Sequence, residues 1–168
     1  MRMNKNSALR GWLLPVLIAV LCAGLAGCAG GPPKPDKARM TVAARADVNP
    51  DASGRASPIV VRVFQLKSDG AFGAADFFAL FDDEKKALGP DILSREEFEL
   101  SPGEQRTIDF AVSGEAHFIG AIAAFRDIRN STWRVLQPAP KKGIKNLVKK
   151  DALTVNVEKS RVTLTIAD

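Results

Sequence analysis

Leu153-Thr154-Val155-Asn156-Val157-Glu158-Lys159-Ser160-Arg161-Val162-Thr163-Leu164-Thr165-Ile166 is the stretch whose pattern decides the fold. Leu153, Val155 and Val157 alternate with Thr154, Asn156 and Glu158, and beyond Lys159-Ser160 the alternation resumes as Val162, Leu164 and Ile166 against Thr163 and Thr165. A period of two sends successive side chains to opposite faces, so each limb reads as a half-buried strand and the polar break between them as a β-hairpin. Such a sheet has one apolar face to cover, and the rest of the chain must supply a second layer.

Upstream, Arg39 to Val48 sets Met40, Val42, Ala44, Ala46 and Val48 against Arg39, Thr41, Arg45 and Asp47, again the period of a half-buried strand. Ile59 to Lys67 is β-branched and more uniformly apolar, which predicts a central strand. From Ala71 to Leu88 the period changes: Phe77, Phe78, Leu80 and Phe81 cluster beside small alanines, and a charged run from Asp82 to Lys86 follows. This predicts one short amphipathic helix, stopped by Gly89-Pro90. Glu97 to Leu100 and Arg106 to Val112 flank Ser101-Pro102-Gly103-Glu104, which has the Pro and Gly placement of a type II turn. Phe118 to Phe125 and Thr132 to Leu136 form a further pair around Arg126 to Ser131. Eight strand candidates with one helical insertion, and no alternation of strands with crossover helices, predict a mainly β fold, an antiparallel β-sandwich of about eight strands.

The front end has a different character. Arg2, Lys5 and Arg10 precede an almost uncharged run from Gly11 to Gly27, the layout of a signal peptide. The apolar run contains Pro15 and Gly24 and is short for a span of about 20 apolar residues, so a retained membrane helix is the weaker reading. Leu25-Ala26-Gly27-Cys28 resembles the bacterial lipobox, in which small residues lie extended in a peptidase groove and the thiol takes the diacylglycerol. The expected organisation is a lipoprotein signal peptide at 1–27, a lipidated N-terminus and flexible tether at 28–37, and the sandwich at 38–168. One acyl chain holds marginally and two or more hold durably, each buried methylene contributing about 0.8 kcal/mol. Ala29 follows Cys28, where enteric inner-membrane lipoproteins commonly carry Asp, so the expected location is the periplasmic face of the outer membrane.

Three of the 24 basic residues lie before Cys28 and all 19 acids after it, so a net charge of +5 for the whole chain falls to 21 against 19, or +2, once the leader is removed. The basicity is largely a targeting signal, and no nucleic-acid partner follows from it. Cys22 leaves with the leader and Cys28 is blocked by lipid, so no disulfide is available and stability must come from an apolar core.

The inventory for catalysis is thin. His117 is the one histidine, there is no tyrosine, and no nucleophile motif accompanies the histidine, which reads as a polar residue at a strand start. One histidine without cysteine makes a zinc site improbable, and neither Asp82-Asp83-Glu84 nor Glu96, Glu97 and Glu99 has calcium-loop spacing, so these acids read as solvated faces. No metal, cofactor or small-molecule substrate is expected, nor an enzyme. Lys141 to Lys150 carries five lysines with Ile144, Leu147 and Val148 interleaved, and could face anionic lipid, an acidic partner or only solvent.

Asn49-Pro50-Asp51-Ala52-Ser53-Gly54-Arg55-Ala56-Ser57-Pro58 joins two strongly patterned strands, yet is longer than the two to five residues of a tight hairpin. A plain surface connection and a binding element on a rigid scaffold both fit its composition.

Asn49-Pro50-Asp51, Gly54-Arg55-Ala56-Ser57-Pro58 and Ile59 to Lys67, followed by Ala75-Asp76-Phe77-Phe78-Ala79-Leu80-Phe81, Leu88-Gly89 and Pro102-Gly103-Glu104, together resemble the TssJ lipoproteins of the type VI secretion system. With the lipobox, the similarity spans nearly the whole chain. Any one block is weak, and their order and spacing together are specific. Ala56 departs from the pattern, since many members carry proline there. The resemblance implies a transthyretin-like sandwich with a helical insertion. It further implies an outer-membrane anchor that binds the periplasmic C-terminal region of TssM, and through it the TssL–TssM inner-membrane complex, with Asn49 to Pro58 as the main contact. The alternative is a periplasmic lipoprotein binding module or an inhibitor of a cell-wall hydrolase acting through Lys141 to Lys150.

Overall fold

The computed structural model describes residues 36–140 and 151–166. In chain order these are β1 (Asp36–Ala44), β2 (Ile59–Leu66), three helical turns α1 (Gly70–Ala74), α2 (Phe77–Asp82) and α3 (Glu84–Leu88), β3 (Ile92–Leu100), β4 (Gln105–Val112), β5 (Phe118–Ala123), β6 (Arg134–Pro138), β7 (Asp151–Val157) and β8 (Val162–Ile166). Single 3₁₀ turns at Gly89–Asp91 and Ile128–Asn130 complete the set. The eight strands form two four-stranded sheets, ordered β4-β1-β7-β8 and β3-β2-β5-β6.

The β7–β8 hairpin pairs Leu153 with Ile166 through Val157 with Val162, as the alternation required. β5 and β6 form the other expected pair. All pairings are antiparallel except β1 with β7, which run parallel from Met40 beside Leu153 to Ala44 beside Val157. The chain arrives at β7 from β6 in the opposite sheet, so it enters at the end where β1 also begins, and the two strands share a direction.

Ala38, Met40, Val42 and Ala44 of β1 meet Ile59, Val61 and Val63 of β2 between the sheets, with Ile119, Ala121 and Ala123 of β5 and Leu153, Val155 and Val157 of β7. β2 is apolar on both faces because it is covered on both. Its other side, with Phe64 and Leu66, packs with Ile122 against Phe72, Leu80 and Leu88 of the helical layer. Its polar residues are Arg62 and Gln65, and the buried Gln65 is satisfied: its amide Nε2 donates to Ala111 O at 2.9 Å and its Oε1 accepts from Ser113 N at 2.7 Å, tying one sheet to the other.

Two expectations are corrected. β1 ends at Ala44, not Val48: the chain turns back with Val48 N donating to Arg45 O at 3.1 Å, and the turn rather than the strand returns Val48 to the core. β1 begins at Asp36, where Asp36 and Lys37 pair with Val112 and Ala111 of β4. The single helix over Ala71 to Leu88 is three short pieces. Ala75 is extended, and Asp76 and Asp83 each restart the helix by accepting a backbone N–H, from Ala79 at 2.8 Å and Lys86 at 3.3 Å. Short carboxylates favour such N-caps over helix interiors, and that is what divides the segment.

Candidate functional site

Four connections gather at one end of the sandwich: β1–β2, the β3–β4 turn, β5–β6 and the β7–β8 turn. Arg45 N donates to Val157 O at 2.9 Å and Gly103 N to Arg45 O at 3.2 Å, which places the start of the first connection against two of the others. Gly103 has φ +80°, as the type II turn at Pro102-Gly103 requires.

The connection Asn49 to Pro58 is not an enlarged hairpin. β1 and β2 lie in different sheets, so the segment must cross the sandwich end, and its length follows from that crossing. It is nevertheless braced throughout. Asp51 Oδ1 accepts from Ser53 N at 2.9 Å and Arg55 N at 3.0 Å, and Asp51 Oδ2 receives Arg55 Nε at 2.9 Å and Nη2 at 2.8 Å. Gly54 closes the turn at φ +80°, with Gly54 N donating to Asp51 O and Asp51 N to Arg55 O. Ser57 N donates to Val48 O at 3.1 Å, and Ser57 is buried. Ala52, Ser53, Gly54, Arg55 and Pro58 are exposed, while Pro50 and Ala56 are half-buried. Arg55, the one cation of the segment, is thus part of the loop's frame, although its side chain remains 82% exposed. The Arg55 amide and guanidinium, with the Ser53 amide and the nearby Arg126 charge, hold the Asp51 carboxyl below the usual carboxylate range.

Asn49 is the junction. It has a left-handed backbone, φ 49°, which asparagine tolerates better than other non-glycine residues. Its N–H donates to Lys159 O at 3.0 Å, its Nδ2 donates to Pro58 O at 2.8 Å, and its Oδ1 accepts from Arg126 N at 2.8 Å. One buried side chain therefore sets the loop against both the β5–β6 and β7–β8 connections. Between these three segments lies a cleft of about 600 Å³, lined on the loop side by Asn49, Pro50, Asp51 and Ala52 and opposite by Phe125, Arg126, Asp127, Asn130, Lys159 and Ser160. The second set was not singled out in the sequence. Arg126 and Lys159 stand in ordinary connections, and only the strand order brings them beside Asn49.

The remaining candidates lie elsewhere. His117 is exposed at the opposite end, its backbone bonded to Leu66 O and Ala139 N. The acids read as solvated faces are in part a half-buried ion cluster: Arg62 binds Glu97 at 2.6 Å and Glu84 at 3.2 Å, Arg95 joins the same two carboxylates, and Arg62 also donates to Phe81 O and lies over the Phe81 ring. Pairing that needs residues 22 and 35 positions apart explains why a local reading missed it. Among the described residues no group of His, Cys, Asp and Glu could hold a metal ion, and no helix is long and apolar enough to cross a membrane. Cys28 and Lys141 to Lys150 lie outside the described residues.

The described residues thus form a two-sheet sandwich that presents a braced loop over a cleft. The chain belongs to the type VI secretion lipoprotein family: residues 36–160 match the family described as T6SS-SciN, the type VI secretion lipoproteins VasD, EvfM and TssJ. It is similar to the T6SS lipoprotein TssJ1 from Pseudomonas aeruginosa, at 31% identity and a TM-score of 0.70, covering 80% of this chain and 98% of that one. Serratia marcescens Lip, described as a membrane-bound component of the type VI secretion system, is 28% identical with a TM-score of 0.68, over 80% of this chain and 99% of Lip. A chain in the structure described as the TssM C-terminal domain (869–1107) from EAEC is also 28% identical, with a TM-score of 0.61, over 78% of this chain and 98% of that one. The comparison with curated protein sequences finds no match.

Proposed function

We propose that this lipoprotein is the outer-membrane anchor of a type VI secretion membrane complex, held to the membrane by acyl groups on Cys28 and gripping the periplasmic C-terminal region of TssM with Asn49 to Pro58. The observation that carries the reading is the 28% identity, along 98% of its length, to a chain in a structure described by its TssM C-terminal domain. The braced loop supports it, because a preformed contact loses little conformational entropy on binding. Residues 1–27 act as the leader, and the tether from Cys28 to the start of β1 spans at most roughly 30 Å at about 3.5 Å per residue. The domain therefore works close to the membrane surface. The action is mechanical, with no turnover.

The test is a titration of the full chain, extracted from membranes in detergent, with the purified periplasmic region of TssM. Saturable binding that disappears when residues 54–57 are deleted supports the reading. Full affinity after that deletion moves the contact elsewhere, and absence of binding together with inhibition of a cell-wall hydrolase replaces the reading with the inhibitor alternative.

A further inference from the structure

The cleft beside the loop carries charge that the fold itself leaves unspent. Asp51 is paired with Arg55, and Asp127 accepts twice from the neutral Asn130 amide, at 3.1 and 2.8 Å, so one carboxylate of the lining keeps its charge against two cations. Arg126 and Lys159 on the facing walls are exposed, and among the described residues neither has an ion-pair partner. Both are positioned by the same residue: the Arg126 amide is bound by Asn49 Oδ1 and the Lys159 carbonyl by Asn49 N–H. A protein seated on the cleft side of the loop, at Asn49 to Ala52, faces these two cations across the cleft.

We infer that the cleft is the second half of the partner site and receives an acidic segment of the protein gripped by the loop, with Arg126 and Lys159 binding its carboxylates. The inference rests on the reading of Asn49 to Pro58 as a partner loop and assigns specificity to residues outside it. The loop supplies shape, its own charges being internally paired. The cleft supplies charge, and an opposite charge brought into a recess is screened less by solvent than one on an open surface. Phe125, 6% exposed at the cleft wall, excludes water from one side.

The experiment compares Arg126→Glu, Lys159→Glu and their combination with the parent, each as the full chain in detergent titrated with the periplasmic region of TssM. Arg129→Glu is the control, an exposed cation on the same connection outside the cleft lining. Each single reversal is expected to weaken binding by about tenfold and the pair by about a hundredfold, in the range of close interfacial charge pairs. The control should remain within about twofold, and thermal melts should match throughout, because the backbone bonds to Asn49 are untouched. Raising salt from about 0.05 to about 0.5 M should weaken the parent steeply and the double variant little. A double variant that binds within about twofold of the parent, while loss of residues 54–57 abolishes binding, overturns the cleft assignment and leaves the partner loop standing. Equal losses in the control, or losses confined to phosphatidylglycerol vesicles, also overturn it by pointing to diffuse charge or to lipid. A parent chain that does not bind TssM overturns both readings.

Discussion

Asn49 concentrates more of the site than any other side chain. Replacing it with alanine removes the bonds to Pro58 O and Arg126 N and forces a Cβ-bearing residue without a polar side chain to hold φ 49°. With about 1 kcal/mol for each hydrogen bond and roughly 1–2 kcal/mol for the left-handed conformation, Asn49→Ala should lower stability by about 3 kcal/mol. Asn49→Gly loses the same bonds without the backbone cost and should be less damaging by about 1 kcal/mol, a difference read from parallel denaturant melts. Equal losses would show that the backbone conformation carries no cost. Asp51 makes the neighbouring test by pH. Its folded-state value is depressed, chiefly by the Arg55 amide and side chain, so folding favours the ionised form. The brace is complete above the ordinary value of about 3.9 and is lost as pH falls through the lower, folded value. The Ser53 and Arg55 amide resonances should hold their positions from neutral pH down to about 4 and move together below it; movement between pH 5 and 7 would show that another group controls the loop. Neither role was legible in the sequence. Asn49 and Asp51 look like ordinary turn formers; the partners of Asp51 are local, whereas Arg126 and Lys159 become neighbours of Asn49 only through tertiary structure.

At the scale of elements, Gly120 of β5 faces the helical layer, where an added Cβ would lie 2.7 Å from the Phe72 ring tip. Phe72 is fully buried against Phe64, with ring centroids 5.7 Å apart, and cannot swing away freely. Gly120→Ala should therefore destabilise by about 1–3 kcal/mol through overpacking, and Phe72→Leu in the same chain should recover part of the loss; an additive double variant would refute the contact. Arg62 fastens the layer from the other side through Glu84, Glu97 and the Phe81 carbonyl. Arg62→Met should cost on the order of 2–3 kcal/mol, below the range for fully buried pairs because Glu97 is 44% exposed. The helical character of this segment was readable from the clustering of Phe77, Phe78, Leu80 and Phe81. Its division into three was not, since Asp76 and Asp83 fit a charged helix surface as well as a cap. The Asn49 to Pro58 connection shows the same limit from the opposite direction: its flanking strands are recognisable, but its length leaves a plain connection and a binding element both open, because nothing local says that β1 and β2 belong to different sheets.

For the whole molecule, the strands were legible because each carries its own period of two, whereas sheet order and the parallel β1–β7 pair depend on contacts far apart in sequence. That order bears on the proposed anchoring. β1 starts where the proposed tether would join and ends where the proposed partner connection begins, and it lies between β4 and β7, bonded from Asp36 opposite Val112 to Ala43 opposite Gln105 on one side and to β7 on the other. Tension between a lipid on Cys28 and a partner on Asn49 to Pro58 would run along β1. Inter-strand hydrogen bonds stand roughly perpendicular to the strands, so such a pull loads them together in shear, whereas a pull that separates paired strand ends breaks them one after another. Single-molecule extension with handles at positions 36 and 54 should therefore rupture the domain at distinctly higher force than with handles at 36 and 112, the paired ends of β1 and β4. Similar forces in the two geometries would mean that the sandwich yields elsewhere, and that the placement of tether and loop at opposite ends of one interior strand has no mechanical consequence.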